Sequence, residues 1–259
     1  MSLPLPIRVT LLPLLLLLTW QVWGMTLPEQ SRAPIPTGVI QEAVGLIASG
    51  KLLDATLQSL GRVALGFLLA SSLALLIGVL MGYFRSVERN LDPIVETFRP
   101  IAPIALLPLA ILWLGTGTPA AVFVVAYAAF FPMIVNTIAG VKGVERRMVQ
   151  AAMTMGLSRA NIVRSVVLPA ALPSIFVGAR LSMGASWMSI VAAELAVGSR
   201  AGGGGTGGIG QMMFVFYAYE IQLNGIVVCM LTVGLVAFLL DRGTRSLQQR
   251  LMPWAENRQ

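Results

Sequence analysis

Residues 100–141 read PIAPIALLPLAILWLGTGTPAAVFVVAYAAFFPMIVNTIAGV, a run of 42 positions without a charged side chain. A membrane-spanning helix needs about 20 mostly apolar residues, so this run is long enough for two crossings. The sequence Gly-Thr-Gly-Thr-Pro at 115–119 interrupts it and predicts the turn between them. This stretch therefore predicts a membrane protein.

Four further apolar stretches lie outside this run. Residues 9–28, 63–84 and 221–240 carry no charge, and residues 173–198 carry only Arg180 and Glu194. Together the stretches predict one all-α membrane domain over residues 1–259 with six transmembrane helices. The first stretch has a second interpretation as a signal peptide after Arg8, but no small-x-small cleavage site follows Trp23, which favours a retained anchor helix.

The composition agrees with a membrane location. The chain is 56% hydrophobic and only 11% charged, whereas soluble domains carry about 25% charged residues. It has no histidine and one cysteine, Cys229, which excludes disulfide frameworks, zinc clusters and histidine-dependent catalysis within the chain. No cofactor is expected in this chain. The net charge of +7 is more typical of cytoplasmic loops than of nucleic-acid binding, so no nucleic-acid partner is expected.

The distribution of basic residues predicts the orientation. Lysine and arginine are concentrated in residues 142–164 and 242–258, on one side of a six-helix arrangement. By the positive-inside rule, both termini and a long loop over about residues 142–172 lie in the cytoplasm. Residues 199–210 then form an outer loop. The proline-rich segment 99–108 predicts a broken helix, which is either a bent entry into the membrane or a cavity wall.

The cytoplasmic loop contains helical signals of its own. Residues 149–155 can form two helical turns, Gly156 can end them in a left-handed conformation, and Ser158 can cap a second helix. Leu168-Pro169 and the proline at 173 are expected to end that helix and begin the next crossing. A short amphipathic helix on a basic loop either attaches to a lipid surface or fits a groove of a partner protein.

Here the chain resembles a known family. Gln150-Ala151-Ala152, then Gly156, then residues 166–169 (VVLP) resemble the Glu-Ala-Ala…Gly…Ile-x-Leu-Pro loop of ATP-binding-cassette (ABC) importer permeases, with matching spacing. Residues 91–94, 168–175 and 191–195 are similar to the branch that serves nitrate, taurine and aliphatic sulfonates. Residues 247–254 resemble taurine permeases most.

The resemblance implies a type I importer permease in the bacterial inner membrane, a subunit without catalysis of its own. Its protein partners would be a second permease copy, two cytoplasmic ATPases that bind ATP and magnesium, and a periplasmic or lipid-anchored binding protein. The permease itself would also contact membrane lipid. The residues that would couple the permease to the ATPase are Gln150, Ala151, Ala152, Gly156, Leu168 and Pro169. Glutamine stands at 150 where the family usually has glutamate, so an ion pair from this position is not expected.

The fifth apolar stretch supplies the candidates for the transport pathway: Arg180, Ser182, Ser186, Trp187 and Glu194. Arg180 and Glu194 lie on one helix face but roughly 21 Å apart, so they cannot pair with each other. Arg180 is expected to reach the membrane surface or a backbone carbonyl, and Glu194 to hold a neighbouring helix or gate a cavity. Small residues on the same stretch, at 178, 182, 185, 186 and 189, favour helix packing over cavity lining.

Glycines dominate residues 202–210. Residues 205–210 satisfy G-x-G-x-x-G, but no strand precedes them, so a nucleotide site is not expected. We expect a mobile outer loop instead. Residues 211–219 are expected to form a re-entrant or interfacial helix.

Two rival functions remain: a secondary carrier, although no internal repeat is visible, and a membrane enzyme, although catalytic residues are scarce. The expected substrate is a small anion, with an aromatic carboxylate or a thiamine precursor as alternatives.

Overall fold

The structure, a computed structural model, describes residues 5–26, 33–200 and 207–252, and every element in these ranges is helical. In chain order the helices are α1 (Leu5–Thr26), α2 (Pro36–Ala48), α3 (Lys51–Tyr83), α4 (Arg85–Phe98), α5 (Leu107–Leu114), α6 (Thr118–Lys142), α7 (Arg146–Thr154), α8 (Arg159–Ile162), α9 (Leu168–Arg200), α10 (Ile209–Val215) and α11 (Leu223–Leu251). A 3₁₀ turn over Pro103–Leu106 and wider π turns over Val163–Val167 and Phe216–Glu220 join some of them.

Within the described residues, four helices are long and apolar enough to cross a membrane: Lys51–Tyr83, Thr118–Lys142, Arg159–Val197 and Leu223–Leu251. A fifth crossing results if α4 and Pro103–Leu114, which are bent by 88°, form one span. The apolar part of the first helix, Leu11–Thr26, is shorter. The six-helix count and the cytoplasmic position of both termini stay predictions. Below, "inner end" denotes the end that carries residues 143–158 and "outer end" the opposite one.

Helices α3 and α6 pack closely because α3 presents a row of small residues to α6. These residues recur at every fourth position: Gly66, Ala70, Ala74, Gly78 and Gly82. A Cβ atom at Gly78 would lie 2.8 Å from the Cβ of Thr137, closer than side chains approach one another. Small residues at such spacing let two helices approach in lipid. This row is not among the features predicted from the sequence.

Helices α6 and α9 are joined by close packing at a glycine and by a hydrogen bond. A Cβ atom at Gly178 would lie 2.7 Å from that of Asn136. The Ser182 hydroxyl donates to the carbonyl oxygen of Ala129 at 2.7 Å. Both positions belong to the predicted small-residue row of the fifth stretch, and their contacts agree with helix packing.

The proline-rich segment breaks the helix as predicted. Helix α4 ends at Phe98, and the chain turns before the 3₁₀ turn and α5 continue. The Tyr127 hydroxyl of α6 donates to the carbonyl oxygen of Phe98 at 2.5 Å. At the inner end, Lys142 forms an ion pair with Glu88 of α4. Helix α4 therefore extends from the inner end of α6 to its middle.

The prolines after the cytoplasmic loop do not end the helix, contrary to expectation. Helical structure continues from Arg159 to Val197, with Pro173 inside it. The π turn accommodates this, because the Leu168 amide bonds to the carbonyl oxygen of Val163, five residues earlier. A wider turn changes the backbone pairing just before Pro169, which has no amide hydrogen to donate.

Candidate functional site

Helix α7 ends in a complete Schellman motif. The Leu157 amide bonds to the carbonyl oxygen of Ala152 at 3.2 Å, and the Gly156 amide bonds to that of Met153 at 3.0 Å. Gly156 has a φ of +76°, the left-handed conformation that glycine adopts without strain. The helix and its glycine end were both predicted from the sequence and are confirmed.

The next helix begins as its sequence indicates. The amide of Asn161 donates to the side-chain oxygen of Ser158 at 3.4 Å, which confirms Ser158 as the N-terminal cap of α8. Ala152, Ile162 and Val167 are all buried in one apolar cluster with residues of α3, α6 and α9. Helix α7 is therefore packed against the membrane helices through this cluster.

The opposite face of α7 is open to solvent. Gln150 and Ala151 are exposed, and so are Met148, Met153 and Met155, the last with 79% of its surface accessible. Methionine side chains adapt to irregular partner surfaces. Leu168, half-buried, and Pro169, exposed, open α9 on the far side of the π turn. A helix anchored on one face and exposed on the other has the geometry of a docking element.

Near the outer end, Glu194 is the centre of a buried polar cluster, here called the Glu194 cluster (Ser59, Arg62 and Glu194). The Arg62 guanidinium lies 2.5 Å from one carboxylate oxygen, and the Ser59 hydroxyl lies 2.8 and 2.9 Å from the two oxygens. The side chains of Arg62 and Glu194 are only 6% and 2% exposed. Arg62 also donates to Thr118, the first residue of α6, so the cluster joins three membrane helices.

The last glycines of the outer loop lie directly on this cluster. Arg62 donates to the carbonyl oxygen of Gly207 at 2.7 Å, and the Gly210 amide donates to Glu194 at 3.0 Å. Gly208 has a φ of +114°, and a Cβ atom there would overlap the Glu194 carboxylate. These residues are held in place, so the expected mobility is wrong for them, whereas residues 201–206 lie outside the described part. Glycine is required here because the backbone itself contacts the carboxylate.

The other charged candidate, Arg180, lies in the inner half of α9 and has a partner of its own. Its Nε donates to Asp241 of α11 at 2.5 Å, with both side chains partly exposed. Its partner is a carboxylate, where the sequence suggested a backbone carbonyl or the membrane surface. Arg180 and Glu194 thus have separate partners, as their separation along the helix predicted.

The remaining candidates on α9 are buried. Trp187 is 2% exposed, and its indole N–H donates to the carbonyl oxygen of Val233 at 3.0 Å. The hydroxyls of Ser182 and Ser186 are inaccessible, and that of Ser186 has no partner among the described residues. These positions lie inside the bundle of this chain, between α9 and its neighbours.

Two cavities accompany these elements. The outer one has a volume of about 670 Å³ and is lined by residues of α2, α3, the end of the glycine loop, α10 and the segment that follows α10. Its charged and amide side chains are Glu42, Lys51, Asp54, Gln58, Gln211, Glu220 and Gln222. Residues 211–215 are helical, as predicted, and the exposed Tyr217 and Tyr219 follow them.

The second cavity lies beside the break between α4 and α5. It measures about 450 Å³ and is lined by Arg99, Pro103, Tyr127, Asn136 and apolar residues of α6 and α9. The proline-rich segment therefore forms a cavity wall as well as a bend, so both sequence alternatives apply. Arg99 is a further residue of this cavity that is not predicted from the sequence.

Comparison with known protein families decides the class of protein. Residues 66–253 match the family described as the inner membrane component of binding-protein-dependent transport systems. The chain belongs to this family. The match covers every membrane helix described above except α1 and the first part of α3.

Curated relatives cover nearly the whole chain. A putative ABC transporter permease of Methanocaldococcus jannaschii is 37% identical over 94% of this chain and 90% of the relative. The taurine transport system permease of Escherichia coli is 36% identical over 97% of this chain and 92% of its own length. The nitrate import permease of a Synechocystis strain is 33% identical, covering 92% and 86%.

Among solved structures, the methionine ABC transporter MetNI, in an inward facing conformation, has a similar fold. Its TM-score is 0.62 at 18% identity, over 77% of this chain and 95% of that chain. The permease fold expected from the resemblance is thereby confirmed. The chain is a non-catalytic, multi-pass permease subunit of an ABC importer in the inner membrane, and it works with an ATPase and a substrate-binding protein.

Proposed function

We propose that this permease conducts a small anion of the taurine, sulfonate or nitrate class. The observation that carries this proposal is the near full-length similarity to permeases of taurine and nitrate systems. The binding protein selects the substrate and delivers it to the outer end. The permease then provides the route across the membrane.

The working complex contains two copies of this permease, two cytoplasmic ATPases and one periplasmic or lipid-anchored binding protein, surrounded by membrane lipid. ATP and magnesium bind to the ATPases, and this chain contributes no cofactor site. Closure of the ATPases around ATP favours the outward-open state, and rigid-body movement of the two permeases opens the route outward.

Helix α7 is the proposed contact with the ATPase. Its exposed face, with Gln150, Ala151 and three methionines, docks into a groove of the ATPase. Ala152 and the residues packed around it transmit the movement to the membrane helices. Gly156 fixes the angle at which α7 leaves the membrane domain, and Leu168 and Pro169 carry the movement into α9.

At the outer end, the Glu194 cluster is proposed to keep α3, α6, α9 and the end of the glycine loop together during transport. Four hydrogen-bonded elements moving as one body would form a stable outer wall of the pathway. Glu194 acts in this role as a structural anchor, because its carboxylate is already bonded to Arg62, Ser59 and the amide of Gly210. A carboxylate is also a poor ligand for an anion.

The substrate class is tested by reconstitution. The permease, its ATPase and its binding protein are placed in proteoliposomes, and uptake of radiolabelled taurine, nitrate and methanesulfonate is measured. We expect uptake of at least one of these anions, dependent on both ATP and the binding protein. Accumulation of an aromatic carboxylate or a thiamine precursor, with none of the three anions transported, would contradict the proposal.

A further inference from the structure

The break between α4 and α5 places one exposed arginine, Arg99, near the middle of the membrane-spanning helices. Phe98, which accepts the hydrogen bond from Tyr127, directly precedes Arg99. Tyr127 lies nine residues after Thr118 and fifteen before Lys142, roughly 14 and 22 Å from the two ends of α6. The backbone of Arg99 therefore lies near mid-height of a spanning helix.

A cation at this depth is costly unless it faces a partner or a water-filled space. Two other arginines in or next to the spans have carboxylate partners. Arg62 pairs with Glu194, and Arg180 pairs with Asp241. Within the described parts of the chain, no carboxylate pairs with Arg99. Its positive charge is therefore not neutralised by an ion pair with any described carboxylate of this subunit.

The space that Arg99 faces has the size and polarity of a ligand site. The cavity of about 450 Å³ lies within the range of about 300–1,000 Å³ typical of small-molecule sites. The Asn136 amide and the ring of Tyr127 line it with Arg99, and none of its described lining residues is acidic. A guanidinium binds the planar pair of oxygens of an oxyanion through two parallel hydrogen bonds.

We infer that this cavity is an oxyanion subsite of the transport pathway, in which Arg99 binds the charged group. Asn136 offers its second amide hydrogen, since the side-chain nitrogen already donates one to the carbonyl oxygen of Pro132 at 2.8 Å. The ligand class is a sulfonate, carboxylate or nitrate group. The identity of the occupant rests on the proposed function. The positive charge of the cavity is independent of the proposed function, and a separate experiment measures it.

The direct experiment uses charged thiol reagents on the complete complex in nanodiscs. A single cysteine is introduced as Asn136→Cys in a Cys229→Ala background, since Cys229 is the only native thiol and is buried. Modification rates are compared for anionic sulfonatoethyl and cationic trimethylammonioethyl methanethiosulfonate. We expect the anionic reagent to react faster, and Arg99→Gln to lower the anionic-to-cationic rate ratio by at least about fivefold.

Two controls make the result specific. Arg89→Gln removes a similar charge from the exposed surface of α4, away from the cavity, and should leave the ratio unchanged. Leu181→Cys, at a second and more exposed lining position, repeats the measurement if Asn136→Cys does not fold. An equal fall with Arg89→Gln, no fall with Arg99→Gln, or no reaction at either cysteine would overturn the inference.

Uptake of the anion that the wild-type complex transports gives the second readout. Arg99→Gln should raise KM at least tenfold, and Arg99→Lys should restore part of the loss because it keeps the charge. An assembled Arg99→Gln complex with wild-type KM would contradict the subsite even if the substrate is an anion. Failure of the wild-type complex to transport any anion would contradict the proposed function, while the thiol rates still report the charge of the cavity.

Discussion

Glu194 and Arg62 form a buried ion pair at 2.5 Å that joins α9 to α3 across 132 positions of sequence. Ser59 and the amide of Gly210 satisfy the remaining oxygen positions of the carboxylate. Buried charges are tolerated when they are paired and fully hydrogen-bonded. The two residues therefore depend on each other for their burial.

Loss of either partner should destabilise the permease strongly. Arg62→Leu or Glu194→Leu leaves one buried charge uncompensated, which costs about 3–5 kcal/mol in similar sites. Thermal unfolding of the purified permease in detergent checks this. The double variant should lose less stability than the sum of the single variants, by about 1 kcal/mol or more; strictly additive losses would show that the pair does not interact.

Alanine at Gly208 should be far more harmful than alanine at Gly50. Both glycines have positive φ values, +114° and +74°, so both variants carry backbone strain of about 1 kcal/mol or more. Only at Gly208 would the new methyl group also overlap the Glu194 carboxylate, while the space at Gly50 is empty. Unfolding temperatures of the two variants compare these costs, and equal losses would mean that the loop does not lie on Glu194.

The packing of α3 against α6 gives a second matched pair. Gly78→Ala brings a methyl group within 2.8 Å of the Thr137 side chain, so the helices must separate and stability should fall. Gly61→Ala on the same helix meets nothing within 4 Å and should be neutral or stabilise by up to about 1 kcal/mol through helix propensity. A measured order of stability opposite to this one would exclude the close approach.

Disruption of the anchored face of α7 should uncouple ATP hydrolysis from transport. Ala152→Asp buries a carboxylate in the inner apolar cluster, and Gly156→Pro cannot adopt the φ of +76°. We expect uptake to fall at least tenfold while the ATPase loses its response to the binding protein. The exposed Ala160→Asp serves as the control, and substrate-stimulated ATPase activity at the wild-type level in either coupling variant would show that α7 is not the coupling element.

The parts of the account that the sequence predicts correctly are local. The glycine end of α7 and the Ser158 cap depend on residues within one or two helical turns, and such signals are visible along the chain. The apolar stretches are equally local, because the length of a span follows from the thickness of the bilayer. Local signals of this kind also predict the helices in the cytoplasmic loop and the break in the helix at the prolines of residues 99–108.

The parts that the sequence misses depend on distant contacts. Arg62 lies next to its span and has no local feature that identifies Glu194 as its partner. The role of Gly208 is invisible without the position of that carboxylate. Pro169 was expected to end a helix, because the π turn that accommodates it has no clear sequence signal.

The most direct test of the central claim, that α7 contacts the ATPase, is photocrosslinking from Met155. Benzoylphenylalanine is placed at Met155, 79% exposed, and separately at Met188 of α9, which is exposed to a similar extent at 77%. After irradiation of the purified complex, mass spectrometry identifies the adducts. The account predicts an ATPase adduct from position 155 and none from position 188; an intact complex that gives no ATPase adduct from position 155 would contradict it.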